Sequence, residues 1–312
     1  MPGLECEPKH KELPETICNL RDLQTLNIRY CSFLSRLPEG IERLVNLKHL
    51  DNALCSILYQ IPQGIEKLTG LGTLSQFNYA ERDWSKLGYL KELDQLSGSL
   101  ELRIRLHDRQ DVDEARKARL INKIHIEDMS FFFVRDAMGR SEEGELVRNE
   151  ALEALQPPPK LKYLMICGFR GTRFPSWISP SCLSHLRRLN IEECNYISTL
   201  PCLEKLPELV ELVVGGMREL KFVGREFGNR RGYQIVEWDL LPYVDPFEFQ
   251  RLSAMGRMGG HNGRRRGRRR GQEHHHEDNA VSHGVDDHRM RVNCATTLAS
   301  SQAIIMVLYS GY

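Results

Sequence analysis

Two stretches near the start of the chain superimpose when one is shifted by 24 residues. LPETICNLRDLQTLNIRYC begins at Leu13 and LPEGIERLVNLKHLDNALC at Leu37. The shift lays Leu13 on Leu37, Pro14 on Pro38, Ile17 on Ile41, Leu20 on Leu44, Leu23 on Leu47, Leu26 on Leu50 and Cys31 on Cys55. A third copy, IPQGIEKLTGLGTL, follows from Ile61 at the same offset. Taken alone, apolar residues three and four apart suggest an amphipathic helix, but Pro38 and Gly40 make a poor helix interior. A period in the twenties points to stacked coils. No copy can bury its apolar residues alone, and stacking joins them into one continuous core.

Each copy contains the nine-position core L-x-x-L-x-L-x-x-N/C, the grammar of a leucine-rich repeat. The core falls at 23–31, 47–55 and 71–79, loosely at 97–105, then at 121–129, 161–169, 186–194 and 209–217. The steps between starts are 24, 24, 26, 24, 40, 25 and 23 residues. The expected fold is therefore an α/β solenoid of about eight irregular units, with a parallel sheet on the concave side and helical or irregular returns on the convex side. RQDVDEARKARL at 109–120 predicts a short helix with Val112, Ala115 and Arg119 on one side. The long step holds an insertion near 131–158, in which VRDAMGRSEEGE reads as a mobile exposed loop. QPPPKL at 156–161 cannot be helical at its centre. FPSWI predicts Trp177, Phe174 and Pro175 packed on the convex side.

After about residue 228 the grammar fades. Residues 229–255 read as an irregular cap or degenerate repeat. From Gly256 to Tyr312 the chain turns Arg, Gly and His rich and is expected to be disordered, because it lacks the apolar surface to offset ordering entropy. Charge follows the same division. Residues 251–312 hold ten Arg, no Lys and five acidic groups, whereas the other 250 hold 33 basic and 37 acidic groups. The run Arg264–Arg270, RRRGRRR, is the one place where nucleic-acid binding or nuclear import would reside. His274, His275, His276, Glu277 and Asp278 are metal-ligating types, but a floppy cluster lacks fixed geometry and supporting partners. No apolar run reaches the roughly 18 residues of a membrane span. The N-terminal residues lack the pattern of a signal peptide, so a cytoplasmic location is expected, with the nucleus as the alternative. Cys31, Cys55 and Cys194 fall on the inward N/C position and read as buried thiols. No C-x-x-C, H-E-x-x-H or nucleophile-elbow motif occurs, so no enzyme activity, cofactor or metal is expected.

Side chains alternate across a strand, so positions three, five and seven of each core form the concave surface. The candidates are Thr25, Asn27 and Arg29; His49, Asp51 and Ala53; Lys123, His125 and Glu127; Tyr163, Met165 and Cys167; Arg188, Asn190 and Glu192; and Glu211, Val213 and Gly215. This mixture suits protein recognition, with Tyr163 and Arg188 as anchors.

Four stretches go beyond the generic grammar. They are the LP-x-x-I-x-x-L-x-x-L-x-x-L units at 13–26 and 37–50; LKELDQLSGSLELRI with DVDEARKARLINK; EALQPPPKLKYLMICGFRGTRFPSWI; and LPCLEKLPELVELVVGGMRELKFVGREF. Through them residues 13–228, behind a lead-in at 1–12, resemble the leucine-rich-repeat region of plant intracellular disease-resistance proteins of the coiled-coil, nucleotide-binding class. The resemblance implies effector sensing, autoinhibitory contact with a nucleotide-binding domain, and a role in the defence response. The family's G-x-x-x-x-G-K-[ST] motif is absent, and the chain opens inside the repeats. The expectation is thus a fragment, truncated product or mis-joined gene model, in which case the alternatives are a non-functional piece or a nucleic-acid-associated protein acting through the tail.

Overall fold

The computed structural model describes residues 11–79, 85–135, 138–220, 233–237 and 304–308. The first three coils each begin with a 3-10 turn behind a proline: Glu15–Asn19, Glu39–Arg43 and Gln63–Lys67 follow Pro14, Pro38 and Pro62. Proline's fixed φ sets the entry and its missing N–H costs nothing there. Each turn drives one isoleucine inward, and Ile17, Ile41 and Ile65 are all buried.

Short strands follow: β1 (Thr25–Asn27), β2 (His49–Asp51) and β3 (Thr73–Leu74) form a parallel three-stranded sheet. Leu26, Leu50 and Leu74 pair side by side and are at most 1% exposed. Each such leucine contributes roughly 1.5–3 kcal/mol of burial. After a one-residue gap the chain continues as β4 (Gln76–Tyr79), the edge of a second parallel sheet. That sheet runs on through β5 (Ser97–Ile104), β6 (His125–Phe133), β7 (Tyr163–Cys167), β8 (Arg188–Glu192) and β9 (Glu211–Gly215). Its inner column is Leu100, Met129, Leu164, Leu189 and Leu212.

The strand ends share one device. Core position eight takes a positive φ at Tyr30, Leu54, Gly168, Glu193 and Gly216. The left-handed residue turns the chain inward, so the next position is buried: Cys31, Cys55, Phe169, Cys194 and Met217. There the Cys55 thiol donates to the Ile28 carbonyl of the preceding coil at 2.9 Å, and Cys194 reaches the Ile166 carbonyl at 3.8 Å. Burial pushes the Cys194 pKa up to about 12, which keeps the donor proton in place.

Several expectations need correction. The insertion is no simple loop: β6 extends to Phe133, and α2 (Glu142–Ala154) fills its second half. Ser141 caps α2 by accepting from Gly144 N, and Val147, Ala151 and Leu152 bury its inner face. Helix α1 spans Gln110–Lys117, with Val112, Ala115 and Ala118 buried, whereas Arg119 lies past its end, exposed and left-handed. Trp177 is 2% exposed and donates from Nε1 to the Leu152 carbonyl, so it docks the helix to the coils.

Beyond β9, two further strands appear at the edge: β11 (Ile304–Leu308) pairs with β9, and β10 (Tyr233–Glu237) pairs with β11. Five residues of the tail expected to be disordered are therefore strand. They lie within the apolar run AIIMVLY, and Ile305 to Leu308 pair with the otherwise open backbone edge of β9. The rest of the tail, with Arg264–Arg270 and His274–Asp278, lies outside the described residues.

Candidate functional site

The concave surface forms from residues that alternate with the buried columns. On the first sheet, Thr25, Asn27, Arg29 and His49 are exposed, and Asp51 and Ala53 half-buried. Arg29 Nε lies 2.7 Å from Asp51 Oδ2, and Ser75 Oγ donates to Asp51 Oδ1 at 2.9 Å. His49 Nδ1 is 3.2 Å from Thr73 Oγ1. Thr73 and Ser75 extend this patch, although a degenerate third copy hid them from the sequence reading.

On the second sheet the register gives one row of Asp128, Tyr163, Arg188 and Glu211, and a second of Glu101, Ser130, Met165, Asn190 and Val213. A third runs Arg103, Phe132, Cys167, Glu192 and Gly215. The Arg188 guanidinium sits 5.0 Å over the Tyr163 ring, within cation–π range. Arg103 Nε pairs with Glu101 at 2.7 Å, and its guanidinium carbon lies 5.9 Å over the Phe132 ring.

The expected trio Lys123, His125 and Glu127 does not belong to these rows. The parallel pairing shifts at Gly98/Ser99: Gly98 opposes Ile126 and Ser99 opposes Asp128, leaving Glu127 extra. The coil's core therefore starts at Ile126, not Ile121, and its inward residues are Ile126, Met129 and Phe131. Burying Met129 and Phe131 removes more apolar surface than burying Ile121 and Ile124, which are 45% and 50% exposed. Lys123 points inward and is fully buried. His125 and Glu127 are exposed at the strand's start, Glu127 paired with Lys162 at 2.8 Å. Asp128, Ser130 and Phe132 take the concave places.

Two concave acceptors stand out. Asn190 Oδ1 and Glu192 Oε1, two residues apart on β8, are inaccessible and lack a hydrogen-bond partner among the described residues. Burial first, and the Glu193 charge second, push the Glu192 pKa up to about 7. Within the described residues no group of His, Cys, Asp or Glu is arranged to hold a metal, and no helix is long and apolar enough to cross a membrane.

Residues 87–217 match the R13L1/DRL21 leucine-rich-repeat family. RPP13-like protein 1 of Arabidopsis thaliana is 35% identical over 156 residues, covering 48% of this chain and 15% of that protein. RGA4 of Solanum bulbocastanum is 35% identical over 224 residues, 61% of this chain and 22% of that protein. RGA2 of the same plant is 43% identical over 194 residues, 60% of this chain and 19% of that protein. All three carry disease-resistance names, and the chain spans between 15% and 22% of their lengths. The coil grammar, the stacked columns and these matches agree: residues 87–217 are similar to the R13L1/DRL21 leucine-rich-repeat family, and the repeat region is similar to part of several plant disease-resistance proteins.

Proposed function

We propose that the chain is a non-catalytic recognition module of the defence response. On this reading its concave face contacts either a pathogen effector or the nucleotide-binding domain of a resistance protein, which it holds inactive. The observation that carries the reading is the row Asp128, Tyr163, Arg188 and Glu211, in register across four strands, with Arg188 stacked on Tyr163. Acid, aromatic, base and acid at strand spacing present a rigid patch of the residue types that dominate interface hot spots. The resistance-protein relatives support a defence setting. The nucleotide-binding domain that would sit against this surface is what the sequence resemblance implies.

The test is binding of the full chain to a purified nucleotide-binding domain from a resistance protein of this class. A dissociation constant of tens of micromolar or tighter is expected, weakened about tenfold by Tyr163→Ala with Arg188→Ala. Absence of binding at about 100 µM, or binding indifferent to both substitutions, overturns the autoinhibitory reading.

A further inference from the structure

The strongest unassigned feature is a cleft of about 460 Å³ at the carboxyl ends of β6, β7 and β8. It is lined by Arg135, Arg140, Arg148 and Arg170, together with Tyr196 and the Ser141 cap of α2. The guanidiniums come from separate places. Arg135 follows β6, Arg170 follows β7, Arg140 precedes α2 and Arg148 lies within it. Glu142 and Glu145 share the lining, so among the described residues four cations stand against two carboxylates, an excess of two positive charges. Glu145 accepts from the hydroxyl of Thr172, another lining residue, at 2.5 Å.

Arg148 is buried and donates to the Gly139 carbonyl at 2.6 Å, which fixes the floor. Arg140 stands 4.8 Å over the Tyr196 ring, so its charge is held in place rather than swinging in solvent. Arg135, Arg140 and Arg170 form no ion pair with a carboxylate among the described residues. The two carboxylates offset only part of the repulsion among the guanidiniums, and an anion in the cleft would relieve the rest. Guanidinium forks match phosphate oxygens in planar, two-point hydrogen bonds, and the carboxyl ends of parallel strands are where open sheets receive ligands.

We propose that this cleft binds a phosphate monoester, with Arg135, Arg140 and Arg170 as the clamp and the Tyr196 hydroxyl as a neutral donor. The site stands apart from the concave face and does not depend on the reading given for it. Binding would tie the inserted helix to the coils following β7 and β8, so occupancy would stiffen the insertion.

Calorimetric titration of the full chain with inorganic phosphate, and with a phosphoserine peptide and its unphosphorylated form, tests the proposal. Phosphate and the phosphopeptide should bind and the unphosphorylated peptide should not; Arg140→Gln with Arg170→Gln should weaken both at least about tenfold. Tighter binding of the phosphopeptide identifies a protein-borne phosphate, and equal binding identifies a free ester. Replacing the arginines of Arg264–Arg270 by Gln should leave the affinity unchanged. A second readout needs no variant in the clamp. Arg140, through its hydrogen bond, and the charges of Arg170 and Arg148 hold the Tyr196 pKa below its usual value. Phosphate should therefore move its phenolate titration upward, read as the difference from Tyr196→Phe. The proposal is overturned if phosphate binding survives the double substitution, disappears only with the tail substitutions, or leaves the Tyr196 titration unmoved.

Discussion

Lys123 Nζ lies 3.1 Å from Asp94 Oδ1 and donates to the Leu90 carbonyl at 2.7 Å, with the lysine side chain fully buried and Asp94 about half-exposed. The lysine thus stitches the start of its coil to the preceding one. Burial lowers its pKa, and the Asp94 hydrogen bond and charge only partly restore it. Removing Asp94 leaves a buried cation with a single carbonyl partner. Asp94→Asn should cost about 1–2 kcal/mol by urea unfolding, a figure held down by the exposure of the aspartate. Lys123→Met should be near neutral or stabilising. Because the folded pKa is depressed, the native state releases this proton before the unfolded chain does. Stability therefore rises with pH between the two pKa values, and the advantage of Lys123→Met shrinks there.

Glu192 shifts the other way. Its folded pKa is pushed up to about 7, above the ordinary carboxylate value. The protonated form is favoured on folding. Its contribution is fully present below the unfolded pKa and lost as pH rises to about 7. Glu192→Gln, which mimics the neutral acid, should match the parent near pH 4 and exceed it above pH 7, by up to about 3 kcal/mol. Parallel melting curves at both ends of the range decide the matter. An equal offset at all pH values would remove the titration from the account.

Where the copies are regular, the fold is legible from residues alone. Leu26 and Leu50, or Leu189 and Leu212, occupy the same template position and pair in the same column. The template slips where backbone chemistry outweighs pattern. INKIHIEDM offers apolar residues at the required spacing, but a register shift opposite Gly98 moves the core to Ile126, Met129 and Phe131. The signal that would have revealed it is the run SFFFV just downstream, whose apolar volume exceeds that of Ile121 and Ile124. Helix α2 was hidden for a related reason. The acidic SEEGE resembles a solvated loop until it is seen as a capped first turn, with Val147, Ala151 and Leu152 behind it. The concave candidates of β7, β8 and β9 were readable by alternation. The arginine cleft was not, because its parts lie in different coils.

Trp177 should anchor the insertion. Its ring meets Phe131 edge-on at 6.5 Å, while Nε1 satisfies the Leu152 carbonyl near the end of α2. Trp177→Ala should cost about 3–5 kcal/mol. Trp177→Phe keeps most of the packing, leaves the Leu152 carbonyl with only its bond from Leu155 N, and should cost about 1 kcal/mol. Hydrogen exchange should locate the loss: α2 amides in Trp177→Phe should exchange faster while those of β1 and β2 do not change. Uniform acceleration would mean that the tryptophan supports the whole stack rather than the insertion.

Gly168 and Glu193 occupy the same core position after successive strands, both with positive φ, yet one is glycine and the other is not. The difference lies in the space around each. A Cβ on Gly168 would stand 2.6 Å from the Phe133 carbonyl oxygen, a backbone atom that cannot swing away. Glu193 already carries a side chain in the left-handed region and bears the intrinsic strain of about 1–2 kcal/mol. Gly168→Ala should therefore incur that strain and the collision together, costing more than about 2 kcal/mol. Glu193→Gly relieves strain at the expense of chain entropy and should change stability by less than about 1 kcal/mol. Denaturant midpoints of the two variants give the comparison directly. If Gly168→Ala proves as mild as Glu193→Gly, the carbonyl of Phe133 is not what reserves this position for glycine.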